Sequence, residues 1–305
     1  MEKVETKYWL YVPFEMTGGS MATSRGARLA LLGHTATLHA TPALGESPTM
    51  PKAWIYWLLF EPMSEADVHA LVKSLRARVP VFSVFGGAQF DVVLTVPLGG
   101  IERASTTPGG RAIFRGDAIT FGDADSTPSP MLTGGFGFQN VTPELLAELA
   151  NCPEATDARL LAALELWRAA SQERLARTKF LTYMTILDSL AAQANRVESV
   201  IKWVDEKITE AKAFRDPALV SALGSLKRES HGTALKNLVS RAATQLNLSP
   251  ADTDAKVGLV APLYRTRSNL SHQGGGAACD PVAARALAAF VLRAAIASPA
   301  ILDVG

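Results

Sequence analysis

The chain has 305 residues, 48% of them apolar, enough to bury one large core or two modest ones, and two domains is the expectation for that length. Thirty basic and 29 acidic side chains leave a net charge of +1, so no global field draws the chain to nucleic acid or to an anionic membrane. Binding to a polyanion must therefore rest on a local patch. The two cysteines, Cys152 and Cys279, lack metal-ligand or C-x-x-C spacing, which argues against a zinc site or other metal centre and against a disulfide framework. The opening residues, Met1-Glu2-Lys3-Val4-Glu5, lack the basic and apolar regions of a signal peptide, and apolar stretches such as 54–60 are too short to span a bilayer. The expectation is a cytoplasmic protein without membrane contact.

Up to about residue 125, apolar residues come in short runs rich in β-branched and aromatic types: 8–14, 28–32, 35–40, 53–60, 81–85, 90–96 and 112–121. Gly and Pro punctuate them, which is the pattern of strands. One segment differs. Ser64 precedes Glu65, Ala66 and Asp67, then Val68, Leu71, Val72 and Leu75 at helical spacing, so an N-capped amphipathic helix is predicted there. Trp9, Trp54 and Trp57 lie in apolar runs, as does Trp203 farther on, and core packing accounts for all four. His34 and His39 flank a predicted strand on opposite faces, a poor metal pair expected at the surface. His69, on the predicted helix, is expected in solvent.

Residues 126–141 contain Ser126-Thr127-Pro128-Ser129-Pro130 and Gly134-Gly135-Phe136-Gly137, dense in breakers and without apolar period, and are read as a linker. The glycines lack the strand-then-helix context and the lysine of a phosphate loop.

From residue 142 the period turns helical. Thr142-Pro143, Asp216-Pro217, Ser249-Pro250 and Asp280-Pro281 each join an N-cap residue to a proline at the first helical position. Leu160, Leu161, Leu164 and Trp167 recur at helical spacing, as do Phe180, Met184, Leu187 and Leu190, and Val197, Val200, Ile201, Val204 and Ile208. The last element, about 281–297, is apolar nearly all round, which requires burial at the centre of the bundle or against a second subunit. The expectation is an α+β two-domain chain: a β-rich domain with one helix over 1–125, a linker over 126–141, and an all-α bundle of five or six helices over 142–305.

The chemically richest stretch is Pro262-Leu263-Tyr264-Arg265-Thr266-Arg267-Ser268-Asn269-Leu270-Ser271-His272, followed by Gln273 and three glycines. It reads as the last turns of a helix stopped by the glycine run. Arg267 and His272 are five positions apart, about 140° on a continuous ideal helix. They share a cleft only if the helix ends by about residue 272.

These residues resemble the HEPN domains, helical RNA-associated domains whose signature is an arginine followed by four to six residues and a histidine, and among them the Apea-like HEPN group. The likeness covers roughly 157–298. It is carried by Leu164-Glu165-Leu166-Trp167, by Lys179-Phe180-Leu181-Thr182-Tyr183-Met184-Thr185-Ile186-Leu187-Asp188, by Leu226-Lys227-Arg228-Glu229-Ser230, and by Leu263 to His272 before glycine. His231 stands where the group usually has an aliphatic residue, and Ser271 where valine is common. The resemblance implies an all-α HEPN-like domain, and a homodimer in which two such motifs face each other.

On RNA, such a pair implies defined chemistry without a cofactor. A neutral imidazole, His272, takes the proton from a ribose 2′-hydroxyl, whose oxygen attacks the adjacent phosphorus. The guanidinium of Arg267 matches the charge gathering on the non-bridging oxygens. Ser268 and Asn269 orient the imidazole or bind a phosphate, Tyr264 stacks on a base or packs, and Arg265 is a further substrate-binding candidate. A helix C-terminus favours the imidazolium of His272, whereas Arg265 and Arg267 favour its neutral form. Against this stand plainer readings: Arg267 salt-bridged to a neighbouring helix with His272 capping carbonyls, and His231 beside Lys227, Arg228 and Glu229 as a solvated helix face instead of a second basic contact for RNA.

The expected function is a metal-independent RNA endonuclease, a toxin or anti-phage effector in which the β-rich half senses a trigger or meets a regulatory partner. The alternatives are a non-catalytic dimeric scaffold that binds RNA or a partner, and an accessory protein of a metabolic operon.

Overall fold

A computed structural model of the chain describes residues 6–17, 27–42, 54–85, 93–131, 146, 148–173, 175–272 and 278–304. It divides into two compact units, Met1–Thr156 and Asp157–Gly305. No helix among the described residues is long and apolar enough to cross a membrane.

The first unit contains β1 (Tyr8–Thr17), β2 (Ala27–Leu31), β3 (His34–Pro42), β4 (Trp54–Met63), α1 (Glu65–Phe85) and β5 (Val93–Thr95). It continues with β6 (Glu102–Arg103), β7 (Ser105–Thr106), β8 (Arg111–Arg115), β9 (Thr120–Asp123) and β10 (Thr127–Met131). One sheet has the order β2-β3-β4-β1-β9-β6, with β5 also paired to β1, and the other the order β10-β8-β7. β1 is the central strand, antiparallel to β4 on one side and β9 on the other. Leu10, Tyr11 and Val12 are all buried, so both of its faces are covered. The Tyr11 hydroxyl donates to the Gly116 carbonyl at 2.8 Å, and burial pushes its phenol pKa up. β9 passes beneath the indole of Trp9 only because residue 122 is glycine: a Cβ there would lie 2.3 Å from the ring.

Several expectations change in this unit. Residues 81–85, read as a strand, form the end of α1, which continues through Pro80 and buries Val81, Phe82 and Val84. A short buried run of β-branched and aromatic residues has no period that separates helix from strand. Residues 112–121 hold parts of two strands, β8 and β9. β10 lies in the stretch expected to be a linker, and it tolerates Pro128 and Pro130 because it is the edge strand of its sheet. The boundary between the units falls at 156/157, not at 141/142, since the 3-10 turn Glu148–Asn151 is tied to α1 by Arg78, which donates to the Ala150 carbonyl at 3.0 Å and to the Cys152 carbonyl. The pairs Gly134-Gly135 and Thr142-Pro143 lie outside the described residues. His39 is half-buried, its ring stacked on its cross-strand partner Trp57 at 5.3 Å and 9°, and burial lowers its pKa.

The second unit is helical, with eight α-helices among the described residues: α2 (Ala158–Gln172), α3 (Ala176–Leu190), α4 (Glu198–Ala211), α5 (Pro217–Ser225), α6 (His231–Gln245), α7 (Pro250–Gly258), α8 (Val260–His272) and α9 (Pro281–Ala297). The expected five or six were too few: α6 was not among the predicted elements, and α7 and α8 are separate helices parted at Leu259. Asp216, Ser249 and Asp280 cap α5, α7 and α9 through their side-chain oxygens, each before a proline.

The apolar α9 packs against α2, α3 and α6 and buries Leu287, Val291 and Leu292 within its own unit. Its composition is thus explained without a second subunit. α4 and α5 pack on each other, and their base is closed where Arg196 N donates to the Lys227 carbonyl at 2.8 Å and Glu229 N to that of Ala194 at 3.0 Å. Trp203, expected in the core, is 51% exposed on α4.

Candidate functional site

α8 packs against α3, α6 and α7. Its inward stripe follows the helical repeat: Leu263 and Leu270 are buried, and Arg267 lies between them at i+4 from the first and three residues before the second. A guanidinium on such a stripe needs a counter-charge. α3 supplies it. Phe180, Met184 and Leu187 fix the apolar face of α3 in the core, and Asp188 follows Leu187 by one position.

Arg267 Nη2 meets Asp188 Oδ2 at 3.1 Å, the two side chains being 32% and 17% exposed. The second oxygen of Asp188, Oδ1, is buried and has no hydrogen-bond partner among the described residues. Burial raises the carboxyl above the ordinary aspartate value, against the opposing pull of Arg267 and of His231, the exposed first residue of α6. The end of α8 is held as well: Arg177 of α3 donates from Nη2 to the Leu270 carbonyl at 3.0 Å, satisfying one of the orphan acceptors of the last turn.

α8 is helical through His272, and residues 273–277 lie outside the described residues. Both positions of the motif are helical, and the regular turn sets them about 140° apart around the axis. The His272 side chain lies outside the described residues. Ser268 and Asn269 are half-buried on the same helix.

Tyr264, half-buried, and Arg265, exposed, line a cavity of about 300 Å³ between α8 and the first turns of α6. Ser230, Thr233 and Lys236 form its other wall. Ser230 caps α6, its Oγ accepting from Thr233 N at 3.1 Å. The structure therefore brings Tyr264 and Arg265 to one cavity and turns Arg267 toward α3.

No family model, curated protein or solved structure matches this chain. The reading of the motif therefore rests on its residues and their geometry. Among the described residues no three His, Cys, Asp or Glu side chains gather as metal ligands.

Asp188, Arg177 and Lys236 were not singled out from the sequence. A signal existed for Asp188, a carboxylate set directly beside the apolar positions of a helix with no cation one turn away. None existed for Lys236, whose relation to Arg265 spans 29 positions and is created only by helix packing.

Proposed function

We propose that the helical unit is an HEPN-type RNA endonuclease that works without a metal, with Arg267 and His272 as the catalytic residues and RNA as substrate. The observation that carries this reading is the state of Arg267: its guanidinium is held by Asp188 while its side chain stays 32% exposed. A fixed, partly dehydrated guanidinium stabilises developing phosphorane charge better than a freely solvated one. His272 takes the 2′-hydroxyl proton, the 2′-oxygen attacks phosphorus, the P–O5′ bond breaks, and the 5′-oxygen takes a proton from solvent. The products are a 2′,3′-cyclic phosphate and a 5′-hydroxyl end. Because the turn of α8 separates the two positions by about 140°, the reading calls for a homodimer in which His272 of each copy serves the Arg267 of the other. Ser268 and Asn269 then contact the scissile phosphate or the imidazole, and the β-rich unit serves as sensor or restraint of a toxin or anti-phage effector in the cytoplasm.

The test is incubation of the purified protein with end-labelled single-stranded RNA in EDTA. Cleavage with cyclic phosphate ends is expected, DNA of the same sequence should survive, and His272→Ala should slow the reaction by about 10²-fold or more. Intact RNA, or undiminished cleavage by His272→Ala, ends the assignment.

A second reading is a non-catalytic dimeric scaffold that binds RNA or a partner protein, and the Arg267–Asp188 ion pair favours it, because that contact by itself accounts for an arginine on the inward stripe. It predicts that Arg267→Ala retains full binding. A strictly monomeric protein counts against both readings.

A further inference from the structure

The cavity between α6 and α8 carries chemistry of its own. Lys236 and Arg265 face it from two different helices. Both are exposed, and neither has an ion-pair partner among the described residues, whereas Arg267, Lys207 and Lys227 of the same unit each hold a carboxylate. No carboxylate lines the cavity among the described residues. Two like charges that line one cavity with no carboxylate on its walls favour an anion between them.

The hydroxyl wall of Ser230 and Thr233 adds polar contacts. The half-buried Tyr264 ring sits beside this wall, a Cβ on Gly232 falling 3.9 Å from its Cδ1. A guanidinium that chelates two phosphate oxygens, an ammonium that acts as a point charge, and an aromatic face for a base are the elements used by proteins that hold single-stranded nucleic acid. At about 300 Å³ the cavity is at the small end of ligand sites, sized for a phosphate and part of its nucleotide.

We propose that this cavity is a phosphate subsite for single-stranded RNA, in which Lys236 and Arg265 grip one phosphodiester and Tyr264 stacks on the adjoining base. The inference rests on the RNA-cleaving reading of α8, and Arg265 and Arg267, two residues apart on that helix, then hold different phosphates of one strand. Its function is to position the strand, so its loss is felt in binding and not in the chemical step.

The experiment uses the full chain, a labelled 20-nucleotide RNA and single-turnover cleavage over a range of salt. The Lys236→Gln/Arg265→Gln double variant should bind about 10-fold more weakly with its saturated rate unchanged, and its log–log salt dependence should flatten by about 0.7, the value for one phosphate contact on a single strand. Lys202→Gln, a neutral charge loss on α4, should leave all three as in the wild type. Equal affinity and slope in the double variant, or the same losses in Lys202→Gln, overturn the subsite while leaving the nuclease standing. If the wild type neither binds nor cuts RNA, the nuclease reading is what fails, and titration with inorganic pyrophosphate then decides the cavity. Amide NMR shifts over residues 230–236 that vanish in the double variant support a phosphate site for a small molecule, and their absence overturns it.

Discussion

The pair formed by Arg267 and Asp188 should be asymmetric, because the two side chains are buried to different degrees. At 3.1 Å the gross attraction is about 5 kcal/mol with an effective dielectric constant near 20. Dehydration of the carboxylate opposes it, and on Asp188 burial is the larger effect, since its pKa is raised despite the neighbouring cation. Arg267→Met leaves a carboxylate that is 17% exposed, with one oxygen already unpaired, and should cost about 2 kcal/mol at neutral pH, below the 3–5 typical of a fully buried broken pair. Asp188→Asn leaves a guanidinium that water reaches, and should cost about 0.5 kcal/mol.

The pH dependence follows from linkage. A carboxyl with a raised folded pKa binds more protons when folded, so its contribution to stability is full below the ordinary aspartate value and is lost as pH rises through the folded one. Removing Arg267 raises that pKa further. The loss caused by Arg267→Met should therefore shrink as pH falls from 7 to about 4.5, while that of Asp188→Asn, which removes the titrating group, should grow over the same range. Urea titrations followed at 222 nm, where the helical unit dominates, measure both through the transition midpoint at constant slope. Equal losses for the two variants at neutral pH, or a pH-independent loss for Arg267→Met, would show that burial of the Asp188 carboxylate does not govern the pair.

Other expectations can be checked as directly. If each site uses the arginine of one copy and the histidine of the other, an equal mixture of Arg267→Met and His272→Ala, allowed to exchange subunits, should recover about a quarter of wild-type cleavage, whereas sites built within single chains recover none. Gly122→Ala drives a Cβ into the Trp9 ring and should cost about 2 kcal/mol or more, read as a fall in the melting temperature of the β-rich unit; a neutral outcome means β9 shifts away from the indole. Asp280→Ala removes the cap of the central α9, where Oδ1 accepts from Val282 N and Ala283 N, and should lower stability by about 1 kcal/mol in denaturant titrations, with Asp280→Asn near wild type. Cys152 is buried and its thiol is pushed up to about 11, so a thiol reagent at pH 8 should modify the half-exposed Cys279 first and reach Cys152 only in denaturant; two equally fast thiols would contradict that burial.

The helical half was the more legible because its signals are local. Asp216, Ser249 and Asp280 before proline mark helix starts through hydrogen bonds that span two or three residues, and sequence order alone places those partners side by side. The strand grammar of residues 8–63 was legible for a local reason too, since short runs of β-branched and aromatic residues favour the extended chain. What sequence left open involves partners far apart along the chain. Residues 81–85 became helix because α1 presents them to a core assembled from distant strands. Pro128 and Pro130 could join a sheet only once β8 offered an edge.

The same division runs through the candidate site. Sequence by itself placed Arg267, Tyr264 and Arg265 on one helix and fixed the 140° between Arg267 and His272, because the turn of an α-helix does not depend on what surrounds it. Only tertiary structure chose the partner of Arg267, through α3 bringing Asp188 to 3.1 Å, and only tertiary structure set Lys236 opposite Arg265. Helix packing decides which charges meet, and whether a charge is dehydrated or solvated determines the chemistry that it can support.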